Sequence, residues 1–120
     1  MLRVKRIGEP VEDDDGIRIL IDRTWPLGLS PIQAHISEWA KDLAPSDELR
    51  WWFVLNPEGW KRFRQRYIAE LSTPQKAALL ARIVSMASGG HVTLLFDAPD
   101  AWHNAAKVIE EVVSRSISEE

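Results

Sequence analysis

The residues best suited to chemistry follow two apolar runs that end in the same way. Asp22 comes directly after residues 17–21, and Asp97 comes directly after residues 92–96. If both runs are parallel strands, their carboxyl ends lie side by side, at the edge where ligands bind in open α/β sheets. The side chains that would then surround one pocket are Asp22, Arg23, Trp25, Asp97, Asp100, His103 and Asn104.

Arg23 is the predicted anchor of that pocket. A guanidinium presents a fixed fork of donors that suits a carboxylate or a phosphate, so the ligand we expect is a small anion. Trp25 would supply an apolar wall. The remaining candidates for ligand binding are the polar residues Asp22, Asp97, His103 and Asn104.

The same set contains candidates for acid–base catalysis. These are His103, Asp97 and Asp22. An imidazole titrates near neutral pH, and a neighbouring carboxylate can orient it. A structural interpretation carries equal weight, because Asp22 and Arg23 can pair with each other and Asp100 can cap a helix. The pattern therefore does not decide whether the protein is an enzyme.

We expect neither a metal nor a cofactor. The chain has 0 cysteines, which excludes thiolate ligands and thiol nucleophiles. Asp100 and His103 are spaced to share one face of a helical turn, but a capping role explains Asp100 more simply. The sequence also has no G-x-G-x-x-G, Walker or G-x-S-x-G motif, so dinucleotide, P-loop and hydrolase chemistry are poorly supported.

An alternative function lies in residues 50–67, which interleave basic and aromatic side chains. That composition is typical of surfaces that stack on nucleic-acid bases or bind a protein partner. Helical periodicity places most of the rings on the apolar stripe of a helix, which favours core packing and argues against a nucleic-acid partner. Trp51 and Trp52 are adjacent, so they cannot both face one core squarely.

The elements that must position these residues predict a small α/β fold. Strands are expected at residues 2–7, 17–21 and 91–96, the last of them central in a sheet. Helices are expected at residues 31–43 after the capping box that starts at Ser30, at 49–54, at 58–71, at 74–88, and at 101–115 after a cap by Asp100. The expected architecture is one domain over residues 1–120, with a mostly parallel sheet of three or slightly more strands packed with about five helices.

Composition limits the partners and the cellular location that we expect for the protein. The net charge is −3, which argues against an extended contact with the phosphate backbone of a nucleic acid. No stretch approaches the roughly 20 apolar residues that span a bilayer, and the first residues do not form a signal peptide. We therefore expect a cytoplasmic protein with no membrane partner.

Several motifs resemble those of the YeaO-like proteins, a bacterial group in the domain-of-unknown-function family numbered 488. They include Ile19-Leu20-Ile21-Asp22-Arg23-Thr24-Trp25-Pro26, Trp39-Ala40-Lys41-Asp42-Leu43-Ala44-Pro45-Ser46, Phe63-Arg64-Gln65-Arg66-Tyr67 and His103-Asn104-Ala105. The resemblance covers nearly the whole chain and implies a small α/β fold with no established activity.

Two positions depart from the pattern of that family. Leu27 stands where its loop usually carries an arginine, and Pro99 stands where a basic residue is common. If the family binds an anion through these cations, the resemblance implies that this chain has an altered ligand or a weaker site.

Overall fold

A computed structural model of the chain, which describes residues 1–119, has a four-stranded sheet at its centre. The strands are β1 (Leu2–Arg6), β2 (Ile17–Leu20), β3 (Glu38–Trp39) and β4 (Val92–Phe96). Their order across the sheet is β1-β4-β2-β3, and every pair is parallel. All five residues of β4 are buried, which confirms the central strand that its apolar run predicts.

Four α-helices complete the regular structure of the described residues. They are α1 (Asp47–Leu55), α2 (Trp60–Leu71), α3 (Pro74–Gly89) and α4 (Ala105–Glu119). Short 3-10 turns lie at Asp13–Asp15 and Lys41–Leu43. The α/β fold with a small parallel sheet is therefore confirmed.

The two faces of the sheet are covered differently. Ile19 and Leu94 point to the face on which α2, α3 and α4 pack, and they share an apolar core with Phe63, Tyr67 and Ile109. Within residues 1–119, no α-helix covers the opposite face. It is covered by residues 8–16 and 26–36, which lie over a row of polar side chains from neighbouring strands: Arg3, Thr93 and Arg18. Parallel sheets usually have helices on both faces, so this one-sided arrangement is unusual.

The predicted helix over residues 31–43 is wrong. Ser30 does cap one turn, since its Oγ accepts from the N–H of Gln33 at 3.3 Å. His35 then adopts a left-handed φ of 53°, which ends the turn. The following residues pair with β2, because the N–H of Ala40 bonds to the carbonyl of Leu20 at 2.8 Å. Hydrogen bonding at the open edge of the sheet outweighs the local helix signals.

The last helix begins later than predicted, at Ala105 rather than near residue 101. Asp100 does not cap it. The Asp100 carboxylate instead accepts from the N–H groups of Trp102 and His103, at 2.8 and 3.0 Å, and fixes a tight turn before the helix. Trp102, expected on the inner face of the helix, therefore lies outside it and is 75% exposed.

Candidate functional site

Asp22 and Asp97 meet where β2 and β4 end, as the sequence predicts. The backbone N–H of Asp97 donates to Oδ2 of Asp22 at 2.9 Å. Burial raises the pKa of Asp22 to about 6, and the charge of Asp97 acts in the same direction. The Asp97 N–H and the guanidinium of Arg50 oppose that rise. Asp22 is thus a half-buried carboxyl group that titrates close to neutral pH.

Arg23 does not pair with Asp22. Its Nε lies 3.2 Å from Oδ1 of Asp47, in the first turn of α1, and both side chains are about half exposed. Exposed pairs of this kind contribute little to stability, so a ligand could displace Asp47. Arg50 lies on the same face of α1, one turn after Asp47, and its guanidinium acts on the Asp22 carboxyl.

Two tryptophans form a wall next to Asp22. Trp25 and Trp39 meet edge to face with ring centroids 5.2 Å apart. The indole N–H of Trp39 donates to the carbonyl of Asp22 at 2.6 Å, and that of Trp25 donates to the carbonyl of Leu29 at 3.0 Å. Lys41 lies over the Trp39 ring at 5.1 Å. Trp25 thus lies next to Asp22 through its contact with Trp39, and its role as the wall of a ligand pocket stays a prediction; Trp39 was not predicted at this position from the sequence.

His103 belongs to a separate cluster in the loop after β4. Its Nδ1 lies 3.0 Å from the Asp100 carboxylate, and its ring packs against Trp60 at 5.1 Å. Hydrogen bonds from the N–H groups of Trp102 and His103 lower the pKa of Asp100. The carboxylate that orients His103 is therefore Asp100, and within residues 1–119 no hydrogen bond joins His103 to Asp22 or Asp97.

Asn104 has a structural role. Its side chain is buried, its Oδ1 accepts from the N–H of Lys107 at 3.1 Å, and its Nδ2 donates to the carbonyl of Asp100 at 2.9 Å. Asn104 is thus the N-cap of α4. Each end of its amide thus has a partner within the protein, and a role in ligand binding stays a prediction.

Residues 50–67 divide between core and surface. Phe63 and Tyr67 are buried, and Phe63 stacks on Phe53 with centroids 4.4 Å apart. Trp51 is 57% exposed, with Arg50 over its ring. Of the adjacent pair of tryptophans, only Trp51 is thus offered to solvent, while Trp52 packs against Gly59 and Arg66.

A buried ionic cluster at the other end of β2 was not predicted. Asp15 is 1% exposed and bonds to Lys5 at 3.0 Å and to Arg18 at 2.5 Å. Burial opposes ionisation, but the hydrogen bonds from the Glu12 N–H, Lys5 and Arg18 lower the pKa of Asp15 to about 2. Lys5 and Arg18 alternate with apolar residues, a pattern that normally marks a solvent-exposed face. In the sequence, the three successive aspartates that end at Asp15 were the pattern that could have indicated this cluster.

No group of three or more His, Asp or Glu side chains within residues 1–119 is arranged to hold a metal ion. No helix in the same range is both long and apolar enough to cross a membrane.

Comparison with known proteins decides the family. The profile of the "Inactive DUF488-N3 subclade" matches residues 1–120. The chain belongs to this family. Its similarity to YeaO, an uncharacterised protein of Escherichia coli K12, is 34% identity over 110 residues, covering 92% of this chain and 94% of YeaO.

The chain is also similar to a protein of Mycobacterium tuberculosis. The uncharacterised protein Rv3073c of strain H37Rv is 40% identical over 82 residues, which cover 68% of this chain and 70% of that protein. No solved structure matches the chain.

Proposed function

We propose that this protein binds a small anion at the carboxyl end of β2 without catalysing a reaction on it. The observation that carries the proposal is the position of Asp22. A half-buried carboxyl group with a pKa of about 6 lies beside a tryptophan wall and within the influence of Arg50, and the next residue, Arg23, has its guanidinium against Asp47. Protonation of Asp22 removes a negative charge from this position, which favours an anionic ligand.

The donors available to an anion support the same proposal. Arg23 uses only Nε in its contact with Asp47, so both of its Nη groups are uncommitted within residues 1–119. A guanidinium can then bind an oxyanion through two parallel hydrogen bonds. The position also agrees with the general rule that ligands of open α/β sheets bind beyond the carboxyl ends of the strands.

Two observations favour binding over catalysis. The family description calls this subclade inactive. In the described residues, the His103 ring has hydrogen-bond contact with Asp100 alone, and no hydroxyl group lies against it as a nucleophile. His103, Asp97 and Asp22 are therefore proposed as binding or structural groups.

Sulfate is a suitable probe, because its charge stays constant across the range in which Asp22 titrates. Binding should be measured by calorimetry at constant ionic strength, at about pH 5 and about pH 7.5. We expect tighter binding at the lower pH, since Asp22 is then protonated. Arg23→Gln should weaken binding by about tenfold or more, which corresponds to about 1.4 kcal/mol.

Arg62→Gln is the matched control, because it removes the same charge from an exposed position on α2. It should bind sulfate like the parent protein. Equal losses in the two variants would show a general effect of net charge and would contradict the proposal. Binding that is independent of pH would contradict the role of Asp22.

The alternative, an interaction surface in residues 50–67, is supported by exposed Trp51 and the guanidinium of Arg50 over its ring. If the partner of this surface is a nucleic acid, the protein should bind a single-stranded oligonucleotide with an affinity that falls steeply as salt is added. Trp51→Ala should abolish that affinity. An oligonucleotide that binds in this way, together with sulfate that does not bind at Arg23, would favour the alternative.

A further inference from the structure

A cleft lies on the face of the sheet opposite the α-helices, and Asp22 is not among its lining residues. It is bounded by residues 7–11 after β1 and by residues 28–34, and its volume is about 350 Å³. That volume is at the lower end of the range for small-molecule sites. Neither Arg23 nor His103 lines it.

Arg18 lines this cleft although its side chain is only 3% exposed. Its Nη1 donates to Asp15 at 2.5 Å, and its Nε and Nη2 donate to the carbonyl of Ala34 at 3.2 and 3.0 Å. These bonds hold the guanidinium in one orientation. An arginine has five N–H groups, so two have no partner among the described residues.

The buried cations next to the cleft share partly exposed carboxylates. Lys5 and Arg18 are both less than 10% exposed, and the one carboxylate buried with them is Asp15. Glu12 pairs with Lys5, and Asp14 pairs with Arg3, both from positions that are more than half exposed. The formal charges of this cluster balance, so what it offers a ligand is the two N–H groups of Arg18 that have no partner among the described residues.

The rest of the lining is both apolar and polar. Ile7, Pro10, Val11 and Leu29 contribute apolar surface, and Ser30 and Gln33 contribute polar groups. Glu9 is the one carboxylate among the lining residues, and its Oε2 accepts the N–H of Arg6 at 2.5 Å. The lining therefore suits a ligand that has one negative group and a short apolar body.

We propose that this cleft binds a small aliphatic carboxylate, with its carboxylate on the free N–H groups of Arg18 and its chain against Leu29 and Val11. A carboxylate matches the planar fork of a guanidinium, and the small volume restricts the chain to a few carbons. This site is independent of the sulfate site proposed at Arg23, so either can fail without the other.

Butyrate is the probe, and the chemical shifts of the Gly28 and Ser30 backbone amides report on the cleft. Butanol has the same chain without the charge, and sulfate has charge without the chain. We expect butyrate to shift these amides saturably in the millimolar range, and neither butanol nor sulfate to do so. Substitution of Arg18 would leave Asp15 with one partner fewer and could unfold the protein, so the cleft is best blocked from its rim.

Gly8→Phe is the blocking variant. A Cβ atom at Gly8 meets nothing within 4 Å, and its φ is not in the left-handed region, so the substitution is tolerated locally. Gly89→Phe is the matched control at the end of α3, where a Cβ atom also meets nothing within 4 Å. We expect butyrate affinity to fall by about tenfold or more in Gly8→Phe and to be unchanged in Gly89→Phe.

Any of five results would overturn the proposal. The first four are the absence of saturable shifts with butyrate, shifts of the same size with butanol, equal affinity of the cleft for sulfate, and equal butyrate affinity in the two glycine variants. Shifts with butyrate that are confined to the amides around Asp22 would assign the carboxylate to the Arg23 site and would also overturn it.

Discussion

Asp15 and Asp22 lie at the two ends of β2, and their pKa values move in opposite directions. Burial acts against ionisation in both. Asp22 receives one backbone N–H and faces the negative charge of Asp97, so burial prevails and its pKa rises to about 6. Asp15 receives the Glu12 N–H and the charged donors of Lys5 and Arg18, and its pKa falls to about 2. The number of donors, and not burial, separates the two carboxylates.

Asp22→Asn should stabilise the protein at neutral pH. Because the folded-state pKa of Asp22 is raised, its contribution to stability is full below the unfolded pKa of about 4 and is lost as pH rises through 6. Asparagine keeps an acceptor for the Asp97 N–H and has no charge. After a discount for partial exposure, we expect a gain of about 1 to 2 kcal/mol at about pH 7.5 and none at about pH 4.

Urea unfolding of parent and variant at both pH values measures this difference. Asp97→Asn serves as a comparison, because Asp97 is exposed and is the neighbouring charge that raises the pKa of Asp22. It should give a smaller gain of the same sign. A loss of stability in Asp22→Asn at about pH 7.5 would contradict the prediction.

Asp15→Asn should have the opposite effect. The variant leaves the buried Lys5 and Arg18 without their shared carboxylate, so we expect a loss of about 3 to 5 kcal/mol at neutral pH. Because the folded-state pKa is lowered, the loss should shrink as pH falls from about 4 toward 2. Asp13→Asn, at an exposed position in the same 3-10 turn, should change stability little. Similar losses in the two variants would contradict this account.

At the scale of the elements, residues 31–43 show what sequence patterns can and cannot predict. Strands β1, β2 and β4 and helices α1, α2 and α3 agree with their apolar periodicity and caps. Residues 31–43 carry equally good helix signals, but pairing with the edge of β2 depends on a neighbour that no local pattern encodes. β3 has two residues, too few for any periodicity.

The candidate site was predictable to a similar extent. The contact between Asp22 and Asp97 follows from two strands that end alike in one parallel sheet. The pairing of Arg23 with Asp47 does not follow, because it depends on how the first turn of α1 packs beside the loop. The role of Asn104 was missed because the start of α4 was placed too early.

Helix α2 provides a test of its orientation. Phe63 is 3% exposed and stacks on Phe53, so Phe63→Ala should cost about 3 to 5 kcal/mol of stability. Arg62→Ala, at the exposed neighbouring position, should change stability by less than about 0.5 kcal/mol. Thermal or urea unfolding measures both. A Phe63→Ala variant that melts like the parent but loses oligonucleotide affinity would place the aromatic stripe on the surface.

At the scale of the whole molecule, the helices cover one face of the sheet and irregular chain covers the other. The helix layer buries a continuous apolar core, whereas the segments over the opposite face are held in part by the ionic cluster of Asp15. The backbone of residues 26–36 forms turns and lacks the ladder of interstrand hydrogen bonds that protects the amides of a strand from exchange. The two faces should therefore differ in local stability.

Hydrogen–deuterium exchange should show this difference. Amides of β4, which is paired on both sides, should exchange slowest, and those of residues 26–36 should exchange much faster. In Asp15→Asn the rate should increase in residues 8–16 and 26–36 before it increases in α2 to α4. Equal protection of residues 26–36 and α3 in the parent protein would contradict this prediction.

The strand order also affects how the chain folds during synthesis. β1 and β2 are made first, but neither pairs with the other, and each joins the sheet through β4. The ribosome must therefore complete residue 96 before the two early strands find their common partner. Contacts of such long sequence separation slow folding and leave strand edges open in the nascent chain. We expect this protein to complete its sheet only after residue 96 has left the ribosome, with α4 packing after β4.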